Sequence, residues 1–458
     1  MSDSDDVKFS LNVVVNKQRT KVIYAEVDSD FADILLSFLT LPLGTIVRIL
    51  GKHYVDESPV LGSLTTLYNS LWNLDSDLFC TESCKQMLLN PRKSFDNERC
   101  KLKLNVDDTP LTKAFKCADK DCTHKRTHLG FYYDTSICDC GDTLSHGVGL
   151  GNHEKKGGVY TKSTTTFIIS DDLQIFPSET GYAMRILTGL GITGTDVTEL
   201  MDVTFGFNQV MDLLKGSLLS ETPLTDIILN KGLLNSIVVK CDTCILPIDQ
   251  AVQQSSSIDK KMTVKAIIQE STNRLLLVEA DGNFVDFLFS LLTIPLGTVE
   301  RLLGSSTGLK NIDNLYRSLG NITDDKYLKT QDTKTMLLDP CLPVGYVSKH
   351  NILPLIEEKW KWNGYSFKSP KGPGNYVKGQ KMYMVTDDLT VTPLCMASSI
   401  SVFNKLKVPF SDVKELKLDI GLKEALRILK ASLTSTSALT DGLMIKATSR
   451  KKPKLEHA

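Results

Sequence analysis

The feature that most constrains this chain is that it repeats itself. Val22-Ile23-Tyr24-Ala25-Glu26-Val27-Asp28 is matched by Leu275-Leu276-Leu277-Val278-Glu279-Ala280-Asp281. Phe31-Ala32-Asp33 is matched by Phe284-Val285-Asp286, and Leu41-Pro42-Leu43-Gly44-Thr45 by Ile294-Pro295-Leu296-Gly297-Thr298. These blocks share one spacing, 253 residues (284 minus 31). Met87-Leu88-Leu89-Asn90-Pro91 and Met336-Leu337-Leu338-Asp339-Pro340 follow, then Ser170-Asp171-Asp172-Leu173 and Thr386-Asp387-Asp388-Leu389, and last Leu224-Thr225-Asp226 and Leu439-Thr440-Asp441. So many ordered blocks argue for an internal duplication. The spacing is 249 at Pro91/Pro340 but 216 at Phe167/Tyr383, so the first copy holds 33 extra residues (249 minus 216) between those points.

The repeat divides the chain into a first half at 7–230 that contains a cysteine-rich insertion at 96–157, a connector at 231–259, a second half at 260–446 and a basic tail at 447–458. At 458 residues the chain exceeds what one core usually fills. A weaker similarity links the Pro295 and Pro409 segments, and four helices carry Leu-x-x-Ser-Leu, at Leu67–Leu71, Leu214–Leu218, Leu315–Leu319 and Leu429–Leu433. Four quarter-modules are therefore expected, each a hairpin followed by helices. Alternating apolar residues predict strands over Lys8–Asn16 and Lys21–Asp28, and strand pairs flanking Asp171-Asp172 and Asp387-Asp388. Helices are expected to end before each Pro-Leu-Gly and restart after it, with proline fixing φ and glycine opening the turn. The fold class is α+β, with antiparallel hairpins and packed helices.

Composition narrows the function. Lys+Arg 53 against Asp+Glu 54 gives a net charge of −1, too little for a global field toward nucleic acid or a membrane surface. The acidic start Met1-Ser2-Asp3-Ser4-Asp5-Asp6 lacks the basic and apolar regions of a secretion signal. The apolar stretches Phe31–Leu50 and Phe284–Leu303 are interrupted by Pro42 and Pro295 and contain Asp33, Arg48, Asp286, Glu300 and Arg301, so they read as buried helices rather than membrane spans. A cytoplasmic or nuclear location is expected, and there the eleven cysteines are reduced thiols or metal ligands.

The Pro-Leu-Gly-Thr segments, the Asp-Asp-Leu hairpins and the Leu-Lys-(Gly/Ala)-Ser-Leu helices followed by Leu-Thr-Asp closely resemble a plant-specific family catalogued as domain of unknown function 674. The resemblance runs from about Val7 to about Met444. It implies a plant protein of the same duplicated build, and brings no reaction, ligand or catalytic residue with it.

The strongest chemical signal is in the insertion. Cys117-x4-Cys122 and Cys138-Asp139-Cys140-Gly141 can bring four thiolates around one tetrahedral ion, in a spacing close to a zinc ribbon. Gly141 suits a tight knuckle whose backbone amides bond the sulfurs. Because Cys-x-Cys is shorter than the usual pair, His124, His128 or His146 is an alternative ligand. Four protein ligands leave no open position, so the expected cofactor is a structural zinc ion. Cys241/Cys244 and Cys80/Cys84 read as free thiols, Gly147-Val148-Gly149-Leu150-Gly151 as a loop, and the aspartate pairs as turn residues. No Gly-x-Ser-x-Gly, Walker loop or His-Glu-x-x-His occurs, and four of seven histidines crowd the insertion. At the matching place in the second half stands Lys359-Trp360-Lys361-Trp362-Asn363-Gly364-Tyr365-Ser366-Phe367-Lys368, expected to be a strand whose aromatics pack onto the core. Arg450-Lys451-Lys452-Pro453-Lys454 reads as a solvated tail or import signal. The expected function is a non-catalytic interaction or scaffold protein with a protein partner. The alternative is an enzyme or small-molecule binder with its site in a cleft between the halves. Nucleic-acid binding is the weaker alternative.

Overall fold

A computed structural model describes residues 7–94, 101–149, 159–189, 192, 194, 198–230, 260–359, 364–372 and 374–444. The connector, the basic tail, Cys241, Cys244, His153, Trp360, Trp362 and Leu150-Gly151 lie outside the described residues. The strands are β1 (Phe9–Asn16), β2 (Val22–Asp28), β3 (Ala114–Lys116), β4 (His128–Phe131), β5 (His146–Val148), β6 (Thr166–Ser170), β7 (Ile175–Pro177), β8 (Thr198–Phe205), β9 (Met262–Gln269), β10 (Arg274–Asp281), β11 (Ser366–Lys368), β12 (Met382–Thr386), β13 (Val391–Pro393) and β14 (Val413–Ile420). They form two five-stranded antiparallel sheets of the same order, β7-β6-β2-β1-β8 and β13-β12-β10-β9-β14, and a four-stranded sheet, β11-β4-β3-β5. The class is α+β.

Each five-stranded sheet buries one face under helices. In β1 the odd residues Phe9, Leu11, Val13 and Val15 are buried while Ser10 and Asn12 are exposed, as period-2 alternation requires. Helices Ser29–Ser37 and Gly282–Leu291 start where Asp28 and Asp281 accept hydrogen bonds from the Phe31 and Phe284 amides. One hydrophobic cluster among the described residues runs from Phe9 to Leu439, through residues on both sides of 231–259.

The repeated polar blocks turn out to be partners. Asp171 accepts hydrogen bonds from the Thr225 amide (2.9 Å) and hydroxyl (2.7 Å), and the same hydroxyl accepts from the Val22 amide (2.9 Å). Asp387 takes the Thr440 amide (2.8 Å) and hydroxyl (2.9 Å), and Thr440 takes the Leu275 amide (3.0 Å). Asp-Asp-Leu and Leu-Thr-Asp, far apart in sequence, are thus two jaws of one clasp that pins a helix to the start of β2 or β10. Asp33 accepts from the amides of Val159, Tyr160 and Thr161, and Asp286 from those of Tyr376 and Val377. Burial pushes both carboxyls above their ordinary range, and the amides pull them back down.

The two Pro-Leu-Gly segments meet each other. Leu43 donates its amide to the Ile294 carbonyl (3.0 Å), Gly44 to Leu292 (2.7 Å) and Leu296 to Leu41 (3.0 Å). The prolines cap helices Leu43–His53 and Leu296–Leu303, as expected. Gly44 and Gly297 lie inside those helices rather than opening a turn, and their role is close approach. A Cβ at Gly297 would meet the Leu337 carbonyl oxygen at 2.6 Å.

The long edge strands β8 and β14 add to the expected hairpins. Each pairs with the first strand of its hairpin over eight residues, with Met201, Val203 and Phe205, and Leu416, Leu418 and Ile420, turned inward between exposed polar residues. The likeness of the Pro295 and Pro409 segments does not extend to structure, since Pro295 leads into a helix while Pro409 leads into Phe410–Asp412 and then β14, whereas the four Leu-x-x-Ser-Leu segments all lie in helices.

Candidate metal centre

The insertion leaves the main core after Val106, folds into the four-stranded sheet and brings its cysteines to one point. Cys117 follows β3, Cys122 and His124 sit in the turns leading to β4, and Cys138 and Cys140 flank a tight turn before β5. Cys117 and Cys140 Sγ are 3.5 Å apart, Cys122 and Cys138 Sγ are 3.6 Å apart, and all four sulfurs lie within 4.8 Å of one another. Four thiolates at roughly 2.3 Å from a tetrahedral zinc ion would stand about 3.8 Å from each other, so this set is of the right size.

Its surroundings are those of a sulfur cage. The Asp119 amide bonds Cys117, the His124 amide reaches Cys122 Sγ at 3.3 Å, and the amides of Cys140 and Asp142 bond Cys138 and Cys140. Gly141 has φ +93, the left-handed value its place in the knuckle demands, and its amide donates to the Cys138 carbonyl (2.9 Å). Burial pushes the Cys117 thiol up to about 12 and the Cys138 thiol upward, while the Asp142 amide holds Cys140 below its ordinary value. An ion would displace the thiol protons, which couples metal binding to pH.

His128 stands beside this cage. It is buried, its Nδ1 is 3.3 Å from Cys138 Sγ and its Nε2 is 3.3 Å from Asp139 Oδ2, while the His124 ring stacks on it at 4.6 Å. His124, His128 and Cys138 make a second group whose ligand atoms lie within 4.8 Å. With imidazole planes parallel to within 5°, the two rings cannot both aim in-plane lone pairs at one ion, so the four sulfurs are the better set. His146 lies on the exposed strand β5 and belongs to neither group.

Residues from the second half of the chain, which the cysteine spacing did not point to, complete the surroundings of the cage. β11 runs parallel to β4, Ser366 donates its amide to the Thr127 carbonyl (2.6 Å), and Lys368 Nζ reaches Asp139 Oδ1 at 2.5 Å. Phe367 joins Ala114, Leu129 and Phe131 in a small apolar cluster, and Lys116 lies over the Tyr365 ring at 5.4 Å. The cysteine-rich insertion and the segment containing Ser366–Lys368 therefore build one sheet together. Both segments were visible in the sequence, but nothing in them specified the pairing.

Residues 5–373 and 361–457 match the family described as "Protein of unknown function (DUF674)". The chain belongs to that family. No curated protein and no solved structure matches it. Among the described residues no helix is long and apolar enough to cross a membrane. Cys80 is exposed and Cys84 buried, both as free thiols, and Asp171-Asp172 and Asp387-Asp388 occupy turns ahead of Leu173 (φ 59) and Leu389 (φ 63).

Proposed function

We propose that this DUF674 protein is a non-catalytic interaction scaffold, built by duplication of an α+β unit, with a structural zinc ion held by Cys117, Cys122, Cys138 and Cys140. The observation that carries the reading is the convergence of four sulfurs within 4.8 Å on an element with little core of its own. Such an element needs a staple to hold its shape. The stapled sheet uses strands from both repeats, so the ion would fix a surface to which both contribute, and a protein partner in the reducing cytoplasm or nucleus is the expected occupant. Metal analysis of the purified full chain should give one zinc per chain, falling to a small fraction in Cys138→Ser. A chain without stoichiometric metal, whose melting is unchanged by that substitution, removes the zinc. Turnover of a defined substrate that requires residues of both repeats removes the scaffold.

A further inference from the structure

A cavity of about 430 Å3 opens beside the Asp171 clasp, where the first repeat meets the second. Lys21 enters it from the start of β2, Phe176 from β7, Tyr182 and Arg185 from helix Thr180–Gly189, and Lys310 from the first turn of helix Lys310–Asn321 in the other repeat. Phe176 and Tyr182 stack at 5.3 Å, and the Arg185 guanidinium lies 4.7 Å from the centre of the Tyr182 ring. That stacking holds a guanidinium in place while leaving its N–H donors free.

The charges are unevenly satisfied. Asp171 is engaged by Thr225, and Asp172 accepts hydrogen bonds from Ser170, Gln174 and Asn314. Among the described residues Lys21, Arg185 and Lys310 form no ion pair. The donors to Asp171 and Asp172 are neutral, so both carboxylates keep their charge, and with Glu221 they balance the three cations of the lining overall. Lys21 acts on Asp171, whereas among the described residues Arg185 and Lys310 have no carboxylate at ion-pair distance, and these two are the cations an anion would complete.

The corresponding place in the other repeat has a different character. The clasp equates Lys21 with Arg274, since the next residue in each case donates its amide to the clasp threonine. Arg274 is paired with Asp387 at 3.4 Å. The common spacing of 216 sets Ser398 opposite Tyr182, Ser401 opposite Arg185 and Thr392 opposite Phe176. Asn311 donates to the Ser220 carbonyl (2.6 Å) as Ser63 donates to the Ser435 carbonyl (2.6 Å), which sets Gly62 opposite Lys310. Gly62 has φ +47, and a Cβ there would strike the Ser432 oxygen at 2.5 Å. Lys21 and Arg274 thus both act on their clasp aspartate, but one repeat has short side chains where the other adds Arg185, Lys310 and two stacked rings. Shared folding requirements would act alike on both.

We infer that the first-repeat cleft binds a small organic anion with an apolar body, its carboxylate or phosphate taken by Arg185 and Lys310 and its body lying against Phe176 and Tyr182. The size suits a small ligand. Saturation-transfer NMR on the full chain, with phenyl phosphate, benzoate and neutral benzyl alcohol as probes, tests it. Saturable binding of at least one anion and none of the alcohol is expected, and the ranking of the two anions assigns phosphate or carboxylate. Arg185→Glu and Lys310→Glu should each weaken the better anion at least roughly tenfold, as loss of a charge-assisted contact does. Glu221→Gln should tighten it, and Lys423→Glu, an exposed charge outside the cleft, should leave it unchanged. Melting curves of the four variants establish that they are folded. Failure of both anions to saturate, equal binding of the alcohol, or affinity indifferent to both charge reversals overturns the assignment.

Discussion

Replacing Gly297 and Gly44 by alanine probes the junction between the repeats, because the two glycines are twins in sequence and helix position but not in surroundings. A Cβ at residue 297 would lie 2.6 Å from the Leu337 carbonyl oxygen, 2.9 Å from Pro340 Cδ and 3.2 Å from the Leu39 oxygen. The first contact is roughly 0.7 Å inside the distance at which carbon meets a carbonyl oxygen comfortably. Two of the three obstacles are backbone atoms, which cannot swing aside. Overpacking of this kind costs about 1–3 kcal/mol, and alanine returns at most about 1 kcal/mol of helix propensity. The net loss for Gly297→Ala is then about 1–2 kcal/mol. At Gly44 the nearest atoms are the Leu292 oxygen at 3.0 Å, Leu292 Cβ at 3.1 Å and Pro91 Cγ at 3.2 Å. A shift of a few tenths of an ångström accommodates them, so Gly44→Ala should fall within about 0.5 kcal/mol of the parent. Urea midpoints of the parent and both variants, taken with their m values, measure the difference. If Gly297→Ala is as stable as the parent, or Gly44→Ala is the costlier of the two, the close-approach account of these glycines is wrong.

Three further outcomes are expected. Glu300 is fully buried beside Asp313, and desolvation first, then that carboxylate, raises its pKa well above the ordinary 4.5. A raised carboxyl favours the folded state while protonated and loses that advantage as pH rises above 4.5, so Glu300→Gln should raise the urea midpoint at pH 8, with the gain fading below pH 4.5; a gain independent of pH contradicts this. Thr225→Val removes a hydroxyl that donates to Asp171 and accepts from Val22, and should cost about 1–3 kcal/mol by chemical denaturation, with no comparable cost predicted for the exposed Thr188. Chelation of metal should open residues 101–149 to limited proteolysis before the five-stranded sheets are cut, and cleavage confined to the sheets would count against a staple.

How much of this was legible in the sequence follows from the range of each interaction. Cys117, Cys122, Cys138 and Cys140 announced themselves because metal-ligand spacing is set by local turns, and the knuckle at Gly141 is local too. Asp28 and Asp281 as helix caps and Pro42 and Pro295 as helix starts are equally short-range. The matching sequence blocks were visible without any structure, as were the hairpins and the α+β class.

Tertiary structure alone decided what depends on which distant segments meet. Asp171 read correctly as a turn residue, but its partner Thr225 lies 54 residues away, and neither residue type names the other. β8 and β14 alternate over Met201–Phe205 and Leu416–Ile420, but their place beside β1 and β9 rests on pairing across at least 144 residues (413 minus 269), which a local pattern does not specify. The pairing of β11 with β4, which closes the cysteine sheet with a strand from the second half of the chain, rests on three residue pairs whose register only the packed chain imposes. The gathering of Lys21, Arg185 and Lys310 around one cavity is of the same kind. Side chains from three elements, one of them in the other repeat, become neighbours through burial of the apolar core between them, and a linear pattern holds no record of that proximity.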